Sequence, residues 1–197
     1  AMQEFQRAID LDPGYIRAYL GLAQTIYIYL AMKGPDELER QALEEKQHDL
    51  VDAAYRLDGD YPDTLSLLGM QTENHDLKLL MYERALEIDP DNAQTYFRLG
   101  WVRFGEGNVE DAERLFRRAL EYRPHNANFR TDLAAVLWNL GRLDEAVSEI
   151  NHSIDLAPEF TENYRMLGAW NFFHFGRIDD GLINMRKAYA LNPEVGR

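Results

Sequence analysis

The chain has 197 residues, with 21 Lys and Arg against 34 Asp and Glu, no cysteine, and a formal net charge of −13 on a composition that is 46% hydrophobic and 28% charged. The absence of thiols excludes a disulfide framework, a Cys-ligated zinc or iron–sulfur site and a thiol nucleophile. The acid surplus argues against general binding of nucleic acid or anionic membrane, which needs the opposite sign, and no uncharged apolar run approaches the ~18–20 residues that span a bilayer.

Prolines punctuate the chain. Leu11-Asp12-Pro13, Ile88-Asp89-Pro90, Tyr122-Arg123-Pro124, Leu156-Ala157-Pro158 and Leu191-Asn192-Pro193 each close an amphipathic segment, and from Pro90 onward the gaps are 34, 34 and 35 residues. Proline ends a helix by removing an amide donor and restricting the residue before it. In chain order, residues 1–15 predict a lone second helix from Met2 to Leu11, with Phe5, Ala8 and Ile9 on its apolar side. Residues 16–61 predict a long hairpin with extra residues around Lys33-Gly34-Pro35-Asp36, Pro35 standing just inside the start of a second helix that runs to Leu57. Residues 62–92 predict a short hairpin that turns within 71–76. Three near-regular hairpins follow at 93–126, 127–160 and 161–195, turning at Gly107, Gly141 and Gly176, since glycine adopts the left-handed cap at little cost. In the first of these, Ala112, Leu115, Phe116, Ala119 and Leu120 recur at helical spacing and give one apolar stripe.

The expectation is therefore an all-α chain of about eleven helices, one continuous array over 1–197 with no strand and no linker. The start shows no basic flank followed by an apolar stretch, which predicts no signal peptide. The opening helix lacks a hairpin mate, so Phe5 should be partly uncovered. The closing helix is apolar on more than one face, at Leu182, Ile183, Met185, Ala188 and Tyr189, which predicts an uncapped end: a fragment of a longer protein, or self-association.

The hairpins share residue types at fixed offsets. One copy reads Tyr96, Leu99-Gly100, Gly107, Ala112, Phe116, Ala119 and Pro124; the next reads Leu133-Ala134, Gly141, Ala146, Ile150, Ser153 and Pro158; the last reads Tyr164, Leu167-Gly168, Gly176, Gly181, Met185, Ala188 and Pro193, with one extra residue before its turn. This pattern resembles the tetratricopeptide repeat (TPR) family over nearly the whole chain. The resemblance implies a right-handed α-solenoid of helical hairpins in which the first helix of each hairpin lines a concave face that holds ligands. A finer similarity, carried by 5–23 and the elongated hairpin after it, is to TPR regions attached to bacterial winged-helix regulators and adenylate cyclases, whose partner domains this chain does not contain.

Spacings of three, four and three along each first helix select the inward positions. They give Arg17, Leu20, Gln24 and Tyr27; Gln94, Phe97, Trp101 and Phe104; Asn128, Thr131, Ala135 and Trp138; and Glu162, Arg165, Ala169 and Phe172. Phe104, Trp138 and Phe172 stand one repeat apart as an aromatic row, with Trp101 beside it. Arg98, Asn128, Asn139 and Arg165 lie among the rings. Large apolar anchors with interspersed amides and guanidinium groups suit an extended peptide or a helix, so the expected partner-binding set is Arg17, Tyr27, Phe97, Arg98, Trp101, Phe104, Asn128, Thr131, Trp138, Asn139, Arg165 and Phe172. The opposing reading, that some rings pack between adjacent first helices, stays open for Phe104 and Phe172. The Lys and Asn clamp with which many family members hold a chaperone's acidic tail is absent: Leu20, Phe97, Thr131 and Arg165 replace the first lysine, and Gln24, Trp101 and Ala135 the asparagine.

Catalytic chemistry has little support. His48, His75, His125, His152 and His174 lack metal-helix spacing, and Asp144-Glu145 and Asp179-Asp180 sit at helix starts where the dipole favours acids. Arg114, Arg117, Arg118 and Arg123 read as a solvated helix face paired with glutamates rather than a docking patch. The sequence thus points to a non-enzymatic protein-interaction scaffold, bacterial and cytoplasmic, with no catalytic residue, metal or cofactor, and with a protein or peptide partner rather than nucleic acid or membrane. The alternative is an oligomerisation or regulatory module of a larger signalling protein, its groove or ends filled by self-association, for instance a homodimer through uncapped terminal helices.

Overall fold

The computed structural model describes residues 1–33 and 36–193. Gly34 and Pro35, on which the expected start of the second helix rested, and residues 194–197 lie outside the described residues. The described residues form eleven α-helices and no strand: α1 Met2–Leu11, α2 Ile16–Lys33, α3 Glu37–Leu57, α4 Pro62–Gln71, α5 His75–Ile88, α6 Ala93–Gly105, α7 Val109–Tyr122, α8 Ala127–Asn139, α9 Leu143–Leu156, α10 Thr161–Ala169 and α11 Ile178–Leu191, with a π-helical turn Trp170–His174 continuing α10. They divide into two compact units, Ala1–Arg98 and Leu99–Arg197, the boundary falling inside α6.

In the first unit α2 and α3 form the long hairpin. Ala18, Leu22, Ala23 and Ile26 of α2 pack on Leu50, Val51 and Ala54 of α3, with Ile9 of α1 and Leu67 of α4 closing the same core. Asp36 caps the start of α3: its carboxylate accepts from the Glu39 amide at 2.9 Å, which satisfies an otherwise orphaned donor. Phe5 is half-buried and lies under Gly21, where a Cβ would come within 2.4 Å of the ring. Gly69 of α4 makes the same kind of close approach to Tyr82 of α5; burial there pushes the Tyr82 phenol up to about 12.

In the second unit the glycines of α6 and α10 sit against the aromatic and the thioether of their mate helices. A Cβ at Gly100 would lie 2.9 Å from Phe116, and one at Gly168 2.8 Å from Met185, so a larger side chain at either position would cost about 1–3 kcal/mol through overpacking. Gly107, Gly141 and Gly176 all have positive φ, and the turns after α6 and α8 close with Asn108 N–H on the Arg103 carbonyl and Arg142 N–H on the Leu137 carbonyl, both at 2.9 Å. The third turn is built differently. The unit 161–195 carries one residue more than its predecessors, and the π-helical turn absorbs it, with Phe175 N–H donating to the Trp170 carbonyl at 3.0 Å.

A chain of hydrogen bonds joins α8, α9 and α10 inside this unit. The Thr131 hydroxyl donates to Asn163 Oδ1 at 2.7 Å, Asn163 Nδ2 donates to Ser153 Oγ at 2.8 Å, and the Ser153 hydroxyl donates to the Ala127 carbonyl at 2.9 Å. All three side chains are buried. Burying polar groups is tolerated only when each finds a partner, which is the case here.

Candidate functional site

The expected partner-binding residues divide between the units. In the first, Arg17 is exposed and its Nε donates to the Tyr61 hydroxyl at 3.0 Å; Tyr27 is exposed and Phe97 half-buried. Arg98 is not presented to a ligand. It is buried, and its guanidinium donates to Ser66 Oγ at 2.6 Å and to Gln24 Oε1 at 3.2 Å, bracing α2, α4 and α6. A long side chain with five donors reaches two neighbouring first helices from a position next to the rings that spacing selects.

The second unit holds the denser set. Trp101 keeps 39% of its surface exposed while meeting Phe104 edge-on at 5.5 Å and Phe116 at 5.6 Å. The rest of the ring's position is therefore fixed by two perpendicular aromatic contacts, a geometry the ring quadrupole favours. Phe104 is half-buried. Asn128 and Asn139 are exposed, the latter with its amide folded back on the Ala135 carbonyl at 2.8 Å. Arg165 is exposed and held by the Glu162 carboxylate on its own helix, Nε to Oε2 at 2.7 Å. Thr131, expected on the groove, is enclosed at 3% exposure in the hydrogen-bond chain described above and offers no surface to a ligand.

The aromatic row changes register at its end. Trp138 stacks face to face not with Phe172 but with Trp170, at 4.3 Å with the rings parallel, and His174 and Phe175 close on it edge-on. Phe172 instead pairs with Phe173 at 4.9 Å and abuts Gly181, and Phe173 is 78% exposed. The cause is the π-helical turn, because one inserted residue rotates everything after it around the helix axis. The extra residue was visible in the 35-residue gap; its rotation of the row was not.

Asp132, a position that face spacing passed over, carries a strongly perturbed carboxyl. It sits half-buried in mid-α8. Burial pushes its carboxyl up to about 7, the Trp101 indole N–H hydrogen-bonded to it opposes the rise, and the Glu162 carboxylate from α10 adds to it. The arginines of α7 are engaged as the sequence suggests: Arg114 with Asp111 at 2.5 Å, Arg117 with Glu113 at 2.7 Å, and Arg118 with Glu121. Arg142 joins Glu113 and Glu145, both at 2.6 Å, tying the start of α9 to α7. Among the described residues no group of His, Asp and Glu is placed to hold a metal ion, and no helix is long and apolar enough to cross a membrane.

Tetratricopeptide-repeat family profiles match residues 81–114 and 103–170. No curated protein sequence matches the chain. Among solved structures, the chain is similar to a protein of the APC/C hetero-tetramer Cut9–Hcn1 (17% identity, TM-score 0.78, 98% of this chain and 36% of that one). It is also similar to MamA (19% identity, TM-score 0.63, 82% of this chain and 95% of that one), and to YrrB, described as a TPR protein with an unusual peptide-binding site (21% identity, TM-score 0.58, 98% and 94%). The chain thus spans about a third of the Cut9–Hcn1 chain it matches and nearly all of the other two. At these identities the likeness establishes the fold. The matched stretch, 81–170, is made of tetratricopeptide repeats, and the fold class of the chain is the all-α TPR solenoid.

Proposed function

We propose that this chain is a non-enzymatic interaction module that holds an extended peptide or a helix on the aromatic face of its first helices, chiefly α6, α8 and α10. The observation that carries the reading is Trp101, a large ring left 39% exposed although two other rings fix its position. A pre-positioned, half-exposed indole loses little conformational freedom on binding, and such residues dominate interface energetics. Exposed Asn128 and Arg165 on the neighbouring first helices supply groups suited to backbone carbonyls, and YrrB, with the same fold, has a peptide-binding site. The test is selection of a phage-displayed random peptide library on the immobilised chain, followed by titration of the selected peptides against Trp101→Ala. We expect a loss of at least about tenfold in affinity with the far-UV circular dichroism unchanged. Unchanged affinity would remove Trp101 from the site, and lost helicity would assign the ring to the core.

A second reading rests on α11. Leu182 and Tyr189 are exposed, at 38% and 58%, whereas the residues one and two repeats earlier, Val147 and Glu113, and Ile154 and Leu120, are half-buried. The face of α11 that corresponds to the shielded face of α7 and α9 is thus open and apolar, which suits association of the chain with a second copy, as in an oligomerisation or regulatory module of a larger bacterial signalling protein.

A further inference from the structure

The open face of α11 carries a charge pattern as well as an apolar one. Ile178, Leu182 and Tyr189 are all exposed, and their spacings of four and seven put them on one side of the helix. Asp179 and Arg186 stand seven residues apart along one edge of this stripe, the acid towards the N-terminal end and the base towards the C-terminal end. Both are exposed, and among the described residues neither side chain has a hydrogen-bond or ion-pair partner. Lys187, next to Arg186, is already engaged over the Tyr164 ring of α10 at 5.8 Å. The matching positions of α7 show what this edge does when a neighbour is present. Arg117 stands two repeats before Arg186, and it meets Glu113 on its own helix at 2.7 Å and Glu145 of α9 at 3.3 Å. In α11 the place of Glu113 is taken by Leu182. That exchange removes the acid one turn away, extends the apolar stripe and leaves Arg186 set for an acid that arrives from another helix.

We propose that α11 is the contact of a closed two-fold dimer, in which it lies antiparallel against α11 of a second copy. The proposal rests on the self-association reading above and gives it a geometry. A two-fold interface must be complementary to itself. This edge is: turned end for end, its order of acid, apolar residue and base lays Asp179 of each copy against Arg186 of the other. The two Leu182 side chains meet near the axis, and each Tyr189 covers the other copy's Ile178. A parallel pair instead sets acid level with acid and base level with base. Each copy carries a formal charge of −13, so copies repel at long range, and close approach costs least where the meeting faces are locally balanced. Asp179 and Arg186 balance this one.

The test uses full chains carrying charge reversals, with mass measured by light scattering over a concentration series. The wild type is expected to reach twice the chain mass and stop there. Asp179→Arg and Arg186→Asp each bring like charges together at both ends of the contact, and each is expected to weaken dimerisation at least about tenfold. Mixed with one another, the two variants restore opposite charges at both ends and form a one-to-one pair, a recovery that also shows both to be folded. The two reversals combined in one chain dimerise as the wild type does. Single reversals that dimerise as tightly as wild type, in a chain that Tyr189→Asp makes monomeric, would overturn the antiparallel geometry and leave self-association through α11 standing. A mass that grows without limit would overturn the closed pair and likewise leave self-association standing. A wild type that stays monomeric at every concentration would overturn both and give the face to a different protein.

Discussion

Asp132 costs the folded chain stability wherever it must ionise. Its pKa is raised in the folded state to about 7, so its contribution is most favourable at low pH and is lost as pH climbs from the ordinary carboxylate range through 7. Asp132→Asn should therefore match the wild type near about pH 4, and exceed it by on the order of 2 kcal/mol near about pH 8, after allowance for partial solvent exposure. Urea midpoints at the two pH values check this. An equal gain at both would mean that the carboxyl is not perturbed in the folded chain. At this scale the sequence was a partial guide. Helical spacing brought out Trp101 because a large ring on the right face is conspicuous, but it set Thr131 on the same ligand-facing side, and Arg98 was added as a residue lying among the rings, since place along a helix says nothing of how deep neighbouring helices bury a side chain. Asp132 was passed over for the complementary reason: its perturbation arises from Trp101 and Glu162 on other helices, 31 residues before it and 30 after it.

Helix positions and turns were legible because each has a local cause. Proline stops, glycines at positive φ and apolar stripes all lie within a few residues of the boundary they set, and α3 ends at Leu57 as its pattern requires. The π-helical turn at Trp170–His174 was legible only as a miscount, since where an inserted residue is absorbed depends on which side chains gain contacts by the rotation. Here the gain is the parallel stack of Trp170, 9% exposed, on Trp138. Trp170→Ala should cost about 3–5 kcal/mol in chemical denaturation and shift the emission of Trp138 to longer wavelength as its ring meets water. A cost below about 1 kcal/mol would show that the stack does not hold the turn.

For the whole chain, the hairpin fold followed from repetition, three copies being harder to produce by chance than one. Whether the chain pairs with itself does not follow from repetition, because exposure of α11 depends on what covers it. If Tyr189 and Leu182 form a contact between copies, light scattering of the wild type should show a mass that rises with concentration, and Tyr189→Asp should hold the mass at one chain while leaving helicity unchanged. A monomer at every concentration would discard the second reading and leave the peptide-binding one.

The hydrogen bonds linking Thr131, Asn163 and Ser153 run through three helices with little slack. Replacing any one of the three with a nonpolar residue strands its companions, so divergence by single steps is penalised and the trio is expected to change together or not at all. Such a lock also makes the angle between consecutive hairpins a heritable property of three side chains, open to adjustment without touching a single residue that a ligand would meet.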